Sequence, residues 1–79
     1  GGMMVEELEH VVLTEDLPEY QLKAGDVGMV LHVYPGDAGY EVEFVSLTGE
    51  LIALVALHAH QVRRIDTHEI ASARRVKSA

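Results

Sequence analysis

Hydrophobic and polar residues alternate along most of residues 10–65, and glycine, proline and acidic residues interrupt the alternation at hairpin spacing. Residues 10–14 predict a first short strand, which ends before the loop that contains Pro18. Residues 26–34 predict a second strand with a distinct set of side chains on each face. We expect Val27, Met29, Leu31 and Val33 to face the core, and Gly28, Val30, His32 and Tyr34 to face away from it.

A dense turn signal at residues 35–39 precedes a third predicted strand in which apolar and acidic positions alternate. Such alternation is typical of an antiparallel strand with one face in the core and one in water. The expected core positions are Tyr40, Val42 and Phe44, and the expected solvated positions are Glu41 and Glu43.

Residues 51–57 are apolar on both faces, so their periodicity alone fits either a strand or a helix. A run of seven aliphatic-rich residues bounded by turns favours a strand. A tight turn at residues 58–61 and a last short strand at residues 62–65 would follow. The sequence therefore predicts a mainly β domain over residues 3–65, a small barrel of five strands.

The tail, residues 66–79, has a different pattern. Asp66 and Glu69 have the spacing of a helix cap, and Ile70, Ala73 and Val76 form a helical stripe. A helix of about ten residues is only marginally stable alone in water. The pattern leaves three states open, in which the tail docks on its own domain, docks on a partner or frays.

The charge of the chain is strongly asymmetric. The formal net charge is −7, yet residues 1–62 contain eleven acidic residues and one base, Lys23, whereas residues 63–79 contain five of the six bases. An acidic body repels phosphate backbones and favours basic protein partners. The chain contains no cysteine, which excludes disulfides and thiolate chemistry, and no apolar run long enough to span a bilayer. We expect a cytoplasmic protein without a cofactor.

The segment at residues 22–30 is the most informative one. Gly25 suits the positive φ of a tight turn, Asp26 can accept hydrogen bonds from the amides of that turn, and Gly28 permits a bulge. Together with the downstream pattern of Gly39, Tyr40, Val42 and Phe44, this segment resembles the KOW-type and SH3-like barrels of translation and transcription factors. The resemblance implies a five-stranded SH3-like barrel.

A closer resemblance covers about residues 7–65. The sequence is similar to the bacterial domain-of-unknown-function family 4926 in its runs Val11-Val12-Leu13-Thr14, Leu22-Lys23-Ala24-Gly25-Asp26-Val27-Gly28, His32-Val33-Tyr34, Tyr40-Glu41-Val42-Glu43-Phe44 and Gln61-Val62-Arg63. The family has no assigned catalytic residues to carry over. Some members occur in small gene pairs that suggest toxin–antitoxin or immunity systems, so the resemblance implies a protein-binding or neutralising role.

Surplus apolar surface is the sequence feature that favours a protein partner or self-association into a homo-oligomer. In residues 51–57, Ile52 and Leu54 lie on the face opposite Ala53 and Val55, and one core can use only one of these faces. The tail is the alternative cover for the second face. The candidate partner-binding residues are Val30, Tyr34, Ile52, Leu54 and Ile70.

Nucleic-acid binding is the principal alternative, because KOW-type barrels often contact RNA. The candidate basic residues are Arg63, Arg64, Arg74, Arg75 and Lys77. Few aromatic residues are available to stack on bases, and of these Tyr20 and Tyr34 lie outside the expected core. The acidic body would confine any phosphate contact to the tail.

Enzymatic and metal-dependent functions have weaker support in the sequence. Glu41 and Glu43 lie at solvated positions of a strand, where paired catalytic carboxylates are not expected. His58 and His60 would share one side of an extended segment, as a metal site requires, but the sequence indicates no third ligand. We therefore expect neither catalysis nor a bound metal.

Overall fold

A computed structural model describes residues 5–76, apart from the side chain of Asp37. Within that range the chain forms five strands in one antiparallel sheet, in the order β4-β3-β2-β1-β5. The strands are β1 (His10–Leu13), β2 (Val27–Tyr34), β3 (Gly39–Val45), β4 (Leu51–Leu57) and β5 (Val62–Arg64). Single 3₁₀ turns occupy Pro18–Tyr20, Pro35–Asp37 and Ala59–Gln61. The prediction of a mainly β domain with five strands is confirmed.

Pairing with β3 settles the conformation of the ambiguous segment at residues 51–57. It is a strand, paired along its length with β3, so the helical alternative is wrong. Ala53, Val55 and Leu57 are buried, whereas Leu54 and Ala56 are exposed. The prediction of which face of β4 enters the core is confirmed for these residues.

The core lies on one face of the sheet, and its most deeply buried side chains come from three neighbouring strands. Val11 of β1, Val30 of β2 and Val42 of β3 are completely buried, and Leu13 is 2% exposed. Val42 and Phe44 confirm the predicted phase of β3, and Tyr40 packs against the same cluster while half-buried.

The predicted phase of β2 is wrong in its first half. Val30 enters the core, Val27 is exposed, and Met29 and Leu31 are only half-buried. The cause is a β-bulge, since Val30 lies opposite Val42 but His32 lies opposite Glu41, which leaves Leu31 as the extra residue. Beyond the bulge the predicted phase is restored, and Val33 packs against the core.

Gly28 has a packing role different from the one predicted. The bulge lies at Leu31 rather than at Gly28. Gly28 instead faces the core so closely that a Cβ atom there would be 2.6 Å from Val42 Cγ1 and 2.8 Å from Phe44 Cε1. The absence of a side chain at Gly28 lets β3 and its core residues approach β2.

The tail helix predicted from residue 66 onward does not form in residues 65–76, which have no regular secondary structure. The predicted cap contact is present, because the Asp66 amide donates to Glu69 Oε1 at 2.7 Å. No apolar docking sustains further turns, since Ile70 is 91% exposed. The tail helix is therefore wrong, and its short capping turn is all that remains of it. Strand β5 also ends at Arg64, one residue earlier than predicted.

Candidate partner-binding site

The strand order leaves β4 and β5 at the two edges of the sheet, and the two edges differ in chemistry. Strand β5 has three residues, two of which are Arg63 and Arg64, and short charged edges are protected against pairing. Strand β4 has seven residues, all uncharged, and no proline. Within residues 5–76 no strand pairs with its outer edge. Strand β4 therefore offers free backbone groups to a partner strand.

Exposed apolar side chains are concentrated in the hairpin that joins β3 to β4. We call Val45, Leu47, Leu51 and Leu54 the hairpin apolar residues, and they are 47%, 84%, 62% and 49% exposed. A register shift between Phe44 and Val45 pairs Val45 with Leu51, beyond the last core position of either strand. Strict alternation puts Leu51 in phase with Ala53 and Val55, so its exposure could not be predicted from the pattern. Leu47 could have been found from the sequence, because Thr48 and Gly49 directly after it indicate a turn.

The structure separates the five residues predicted to bind a partner. Leu54 is exposed as predicted, whereas Ile52 is half-buried and packs against the core. Val30 is completely buried, so its assignment to a binding surface is wrong, because the bulge at Leu31 reverses the phase of β2. Ile70 is exposed, but it lies in the tail that leaves β5, at the edge of the sheet opposite β4.

Tyr34, the fifth of these residues, belongs to a polar group on the outer face. Its hydroxyl donates to Glu41 Oε2 at 3.4 Å, and its ring meets the His32 ring edge to face at 4.9 Å. Partial burial and the negative charge of Glu41 raise the pKa of Tyr34 above its ordinary value. His32 in turn lies 3.4 Å from a carboxylate oxygen of Glu7. Tyr34 is therefore held by its own chain.

The basic tail is anchored on the acidic body by Arg74. Its Nε atom donates to Asp26 Oδ1 at 2.9 Å, and its Nη2 atom donates both to Asp26 Oδ2 and, at 3.0 Å, to the Gln21 carbonyl oxygen. Gln21 has a φ of +60°, a left-handed conformation that is uncommon for a side-chain-bearing residue. We call this set of contacts, made by Arg74, Asp26 and Gln21, the tail clasp.

The loop before β2 holds the Asp26 side chain in place for the tail clasp. The Lys23 amide donates to Asp26 Oδ2 at 2.7 Å, and Gly25 has a φ of +94°, so both predictions about this turn are confirmed. Partial burial would raise the pKa of Asp26, but the hydrogen bonds from Arg74 and the Lys23 amide outweigh it and lower the pKa below its ordinary value. The carboxylate is thus stabilised in its ionised form.

Two of the other predicted nucleic-acid residues, Arg63 and Arg64, are also bound to carboxylates of the same chain. Arg63 forms a two-point contact with Glu69, with N···O distances of 2.8 Å and 2.6 Å, and this contact lowers the pKa of Glu69 to about 2. Arg64 Nε lies 2.6 Å from Glu9 Oε2. Arg75 is exposed and makes no ion pair within the described range, and Lys77 lies outside the described residues. Three of the four described basic residues of the predicted cluster are therefore paired with carboxylates of the chain.

The two histidines predicted as the weak metal candidate lie side by side. The rings of His58 and His60 stack with centroids 5.6 Å apart and planes 7° from parallel. In the described part of the chain, no three side chains of the metal-binding types come close enough together to hold an ion. Over the same residues, no helix has the length and apolar character needed to cross a membrane.

The sheet and its edges define the protein as a small antiparallel β domain with an appended tail. It belongs to the family described as Domain of unknown function (DUF4926), whose model matches residues 7–64. That match ends where β5 ends, so the tail that carries Arg74 lies outside it. No curated protein and no solved structure matches the chain.

Proposed function

We propose that this protein is a non-enzymatic interaction module that binds another protein through the β3–β4 hairpin and the outer edge of β4. The observation that carries the proposal is the exposure of Leu51 and Leu54, at 62% and 49%, on an uncharged edge strand. Burying a whole leucine side chain contributes about 1.5–3 kcal/mol, so the exposed halves of these two offer roughly 2 kcal/mol together.

The backbone of β4 adds specificity to this apolar contribution. A partner strand that pairs with an exposed edge gains main-chain hydrogen bonds, while the side chains on each face select its sequence. Natural proteins usually protect a long edge strand with charges, proline or a cover. An edge of seven uncharged residues is therefore more consistent with pairing than with permanent exposure.

Charge indicates the kind of partner. Eleven acidic residues against one base in residues 1–62 favour a neutral or basic protein. Arg63, Arg64 and Arg74 are each already engaged by a carboxylate of the chain, which weakens the RNA-binding alternative. In its specific form, the proposal follows the gene pairs of the resembling family and takes a toxin-like protein as the partner, with an SH3-like barrel as the binding scaffold.

Pull-down from a lysate of the source organism tests the proposal, with half of each sample treated with nuclease. We expect the tagged chain to retain a protein at roughly equimolar amounts after nuclease treatment. The double variant Leu51→Ser and Leu54→Ser should lose that protein. The matched control is Val27→Ser, since Val27 is 45% exposed but lies in β2, away from the edge.

Two results would count against the proposal. One is capture of RNA, or only of proteins released by nuclease, which would favour the KOW-like alternative and direct attention to Arg75 and Lys77. The other is equal capture by the leucine variant and the valine control. Circular dichroism of each variant establishes that the sheet is intact before the comparison is made.

A further inference from the structure

We propose that the domain contains a binding site for an arginine side chain of a basic protein segment, and that the chain's own tail occupies this site as an autoinhibitory ligand. The site, which we call the guanidinium site, consists of the Asp26 carboxylate and the Gln21 carbonyl oxygen, and Arg74 is its occupant in this structure. It lies apart from the β4 surface of the proposed function, because β3 separates β4 from β2, the strand that Asp26 precedes.

The loop that forms the guanidinium site is held by its own hydrogen bonds, without the tail. Leu17 and Leu22 exchange two backbone hydrogen bonds, at 2.9 Å and 3.1 Å, and the Gln21 amide donates to the Pro18 carbonyl oxygen at 3.1 Å. These contacts enclose Gln21 in a tight turn, where its φ is +60°. A site that is ordered before its ligand arrives loses little conformational freedom on binding.

The geometry of the site selects arginine over lysine. Arg74 directs Nε and Nη2 at the two carboxylate oxygens of Asp26, and Nη2 also donates to the Gln21 carbonyl oxygen. The Lys23 amide donates to Asp26 Oδ2 at 2.7 Å, which fixes the direction of the carboxylate. A guanidinium is a planar fork that makes several such contacts in fixed directions, whereas an ammonium group is a single point of charge.

The part of the tail around Arg74 is held mainly by this one side chain. Residues 65–75 are all exposed, and Ile70 is 91% exposed, whereas the Arg74 side chain is 31% exposed. The family model matches residues 7–64, so the site belongs to the family domain and its occupant belongs to the segment beyond it. A partner that presents an arginine and adds contacts of its own would displace such an occupant.

The surroundings of the site indicate what kind of segment replaces the tail. A cleft of about 360 Å³ lies between the loop and the tail, and its lining on the body side includes Asp16, Pro18 and Lys23. Release of the tail opens this cleft to the residues next to the incoming arginine. The strongly acidic charge of residues 1–62 attracts a basic segment, of which the tail is an example within the same chain.

Titration of the ¹⁵N-labelled full chain with a peptide of residues 70–79 tests the proposal. In Arg74→Ala the site is empty, so the peptide should shift the Gln21, Lys23 and Asp26 amide signals saturably. The dissociation constant should be about 1 mM or below, because a short tether presents the tail to its site at an effective concentration on the order of millimolar. The wild type should bind the peptide at least about threefold more weakly, since its own tail competes. Arg75→Ala retains the clasp and should bind as weakly as the wild type.

Two peptide variants separate guanidinium recognition from simple attraction between opposite charges. The Arg74→Lys peptide has the same net charge and should bind at least about fivefold more weakly, whereas the Arg75→Lys peptide should stay within about twofold of the original. Adding Asp26→Asn to the Arg74→Ala chain should remove the preference for arginine, and the dispersion of its spectrum shows whether the sheet is folded.

Three results would overturn the inference. They are the absence of saturable shifts at the site in Arg74→Ala, equal affinity of the wild type and Arg74→Ala, and equal binding of the arginine and lysine peptides. None of these measurements involves Leu51 or Leu54, so the capture experiment with the leucine variants tests the proposed function separately.

Discussion

Replacing Arg74 by alanine tests whether the tail clasp holds residues 70–76 on the body. Arg74 is the residue that joins this irregular segment to the loop before β2, through Asp26 and the Gln21 carbonyl. The substitution removes both contacts and leaves the five strands unchanged. We expect the tail to detach while the sheet remains folded.

The expected magnitude follows from the exposure of the two charged partners. The side chains of Arg74 and Asp26 are 31% and 19% exposed. The free energy of their contact should therefore lie between that of a surface ion pair, about 0.2–1 kcal/mol, and that of a hydrogen bond to a well-buried charge, about 1.5–3 kcal/mol. A loss of about 1.4 kcal/mol is reasonable, and it raises the ratio of detached to docked tails about tenfold.

The contact of Arg63 with Glu69 holds the first part of the tail, but few other contacts hold residues 70–76. Ordering the backbone of one residue costs about 1–2 kcal/mol, and Ile70 is almost fully exposed, so it contributes no apolar burial in return. The docked tail is therefore close to balance, and losing one anchor suffices to release it. Because the free energy of docking is small, the free energy of global unfolding should fall by no more than about 1–2 kcal/mol.

Backbone ¹⁵N relaxation is the assay, with Arg75→Ala as the matched control. Arg75 is the next residue, is also exposed, and forms no ion pair within residues 5–76. We expect the heteronuclear NOE of residues 70–76 to fall in Arg74→Ala and to remain near the wild-type value in Arg75→Ala. Equal NOE values in the two variants would refute the role assigned to the clasp.

Three further predictions concern the sheet and its pH dependence. Gly39→Ala should destabilise the domain by about 3 kcal/mol in urea unfolding, because φ is +137° at Gly39 and a Cβ atom there would overlap the Leu57 carbonyl oxygen. A loss of stability below about 1 kcal/mol would contradict this packing. Val42→Ala should cost about 2 kcal/mol in the same assay, since Val42 is completely buried. Asp26 has a lowered pKa, so its contribution to stability is present above the ordinary value of 3.8 and is lost as the pH falls through the lower folded-state value. Asp26→Asn should therefore flatten the dependence of the unfolding free energy on pH in this acidic range, and an unchanged slope would contradict the clasp with Arg74.

The strands and turns were largely predictable because the signals that define them are local. Pro18, Gly39 and Gly49 mark chain reversals through the preferences of single residues. Acidic residues alternating with Val42 and Phe44 identify the core face of β3 without knowledge of its neighbours. The same reasoning located the hydrogen-bonding role of Asp26 within its own turn.

The phase of β2 was not predictable, because every residue from Val27 to Val33 except Gly28 and His32 is apolar. With both faces apolar, the pattern cannot reveal an inserted residue, and one insertion at Leu31 exchanges the faces. That exchange moved Val30 from the predicted binding surface into the core. Energy gained by packing Val30 against Val42 decides the register, and this energy depends on β3.

The features of the candidate site also divide into those that the sequence determines and those that only the tertiary structure decides. Sequence alone determined that β4 is an apolar segment with one surplus face, that the body is acidic and that the tail is basic, because composition and short-range periodicity contain this information. Tertiary structure decided that β4 lies at an edge, that Leu51 is exposed and that Arg74 binds Asp26. Arg74 and Asp26 are separated by 48 positions, and edges arise only when all strands have paired. These features depend on long-range pairing, whose free energy is a property of the assembled sheet and of no single segment.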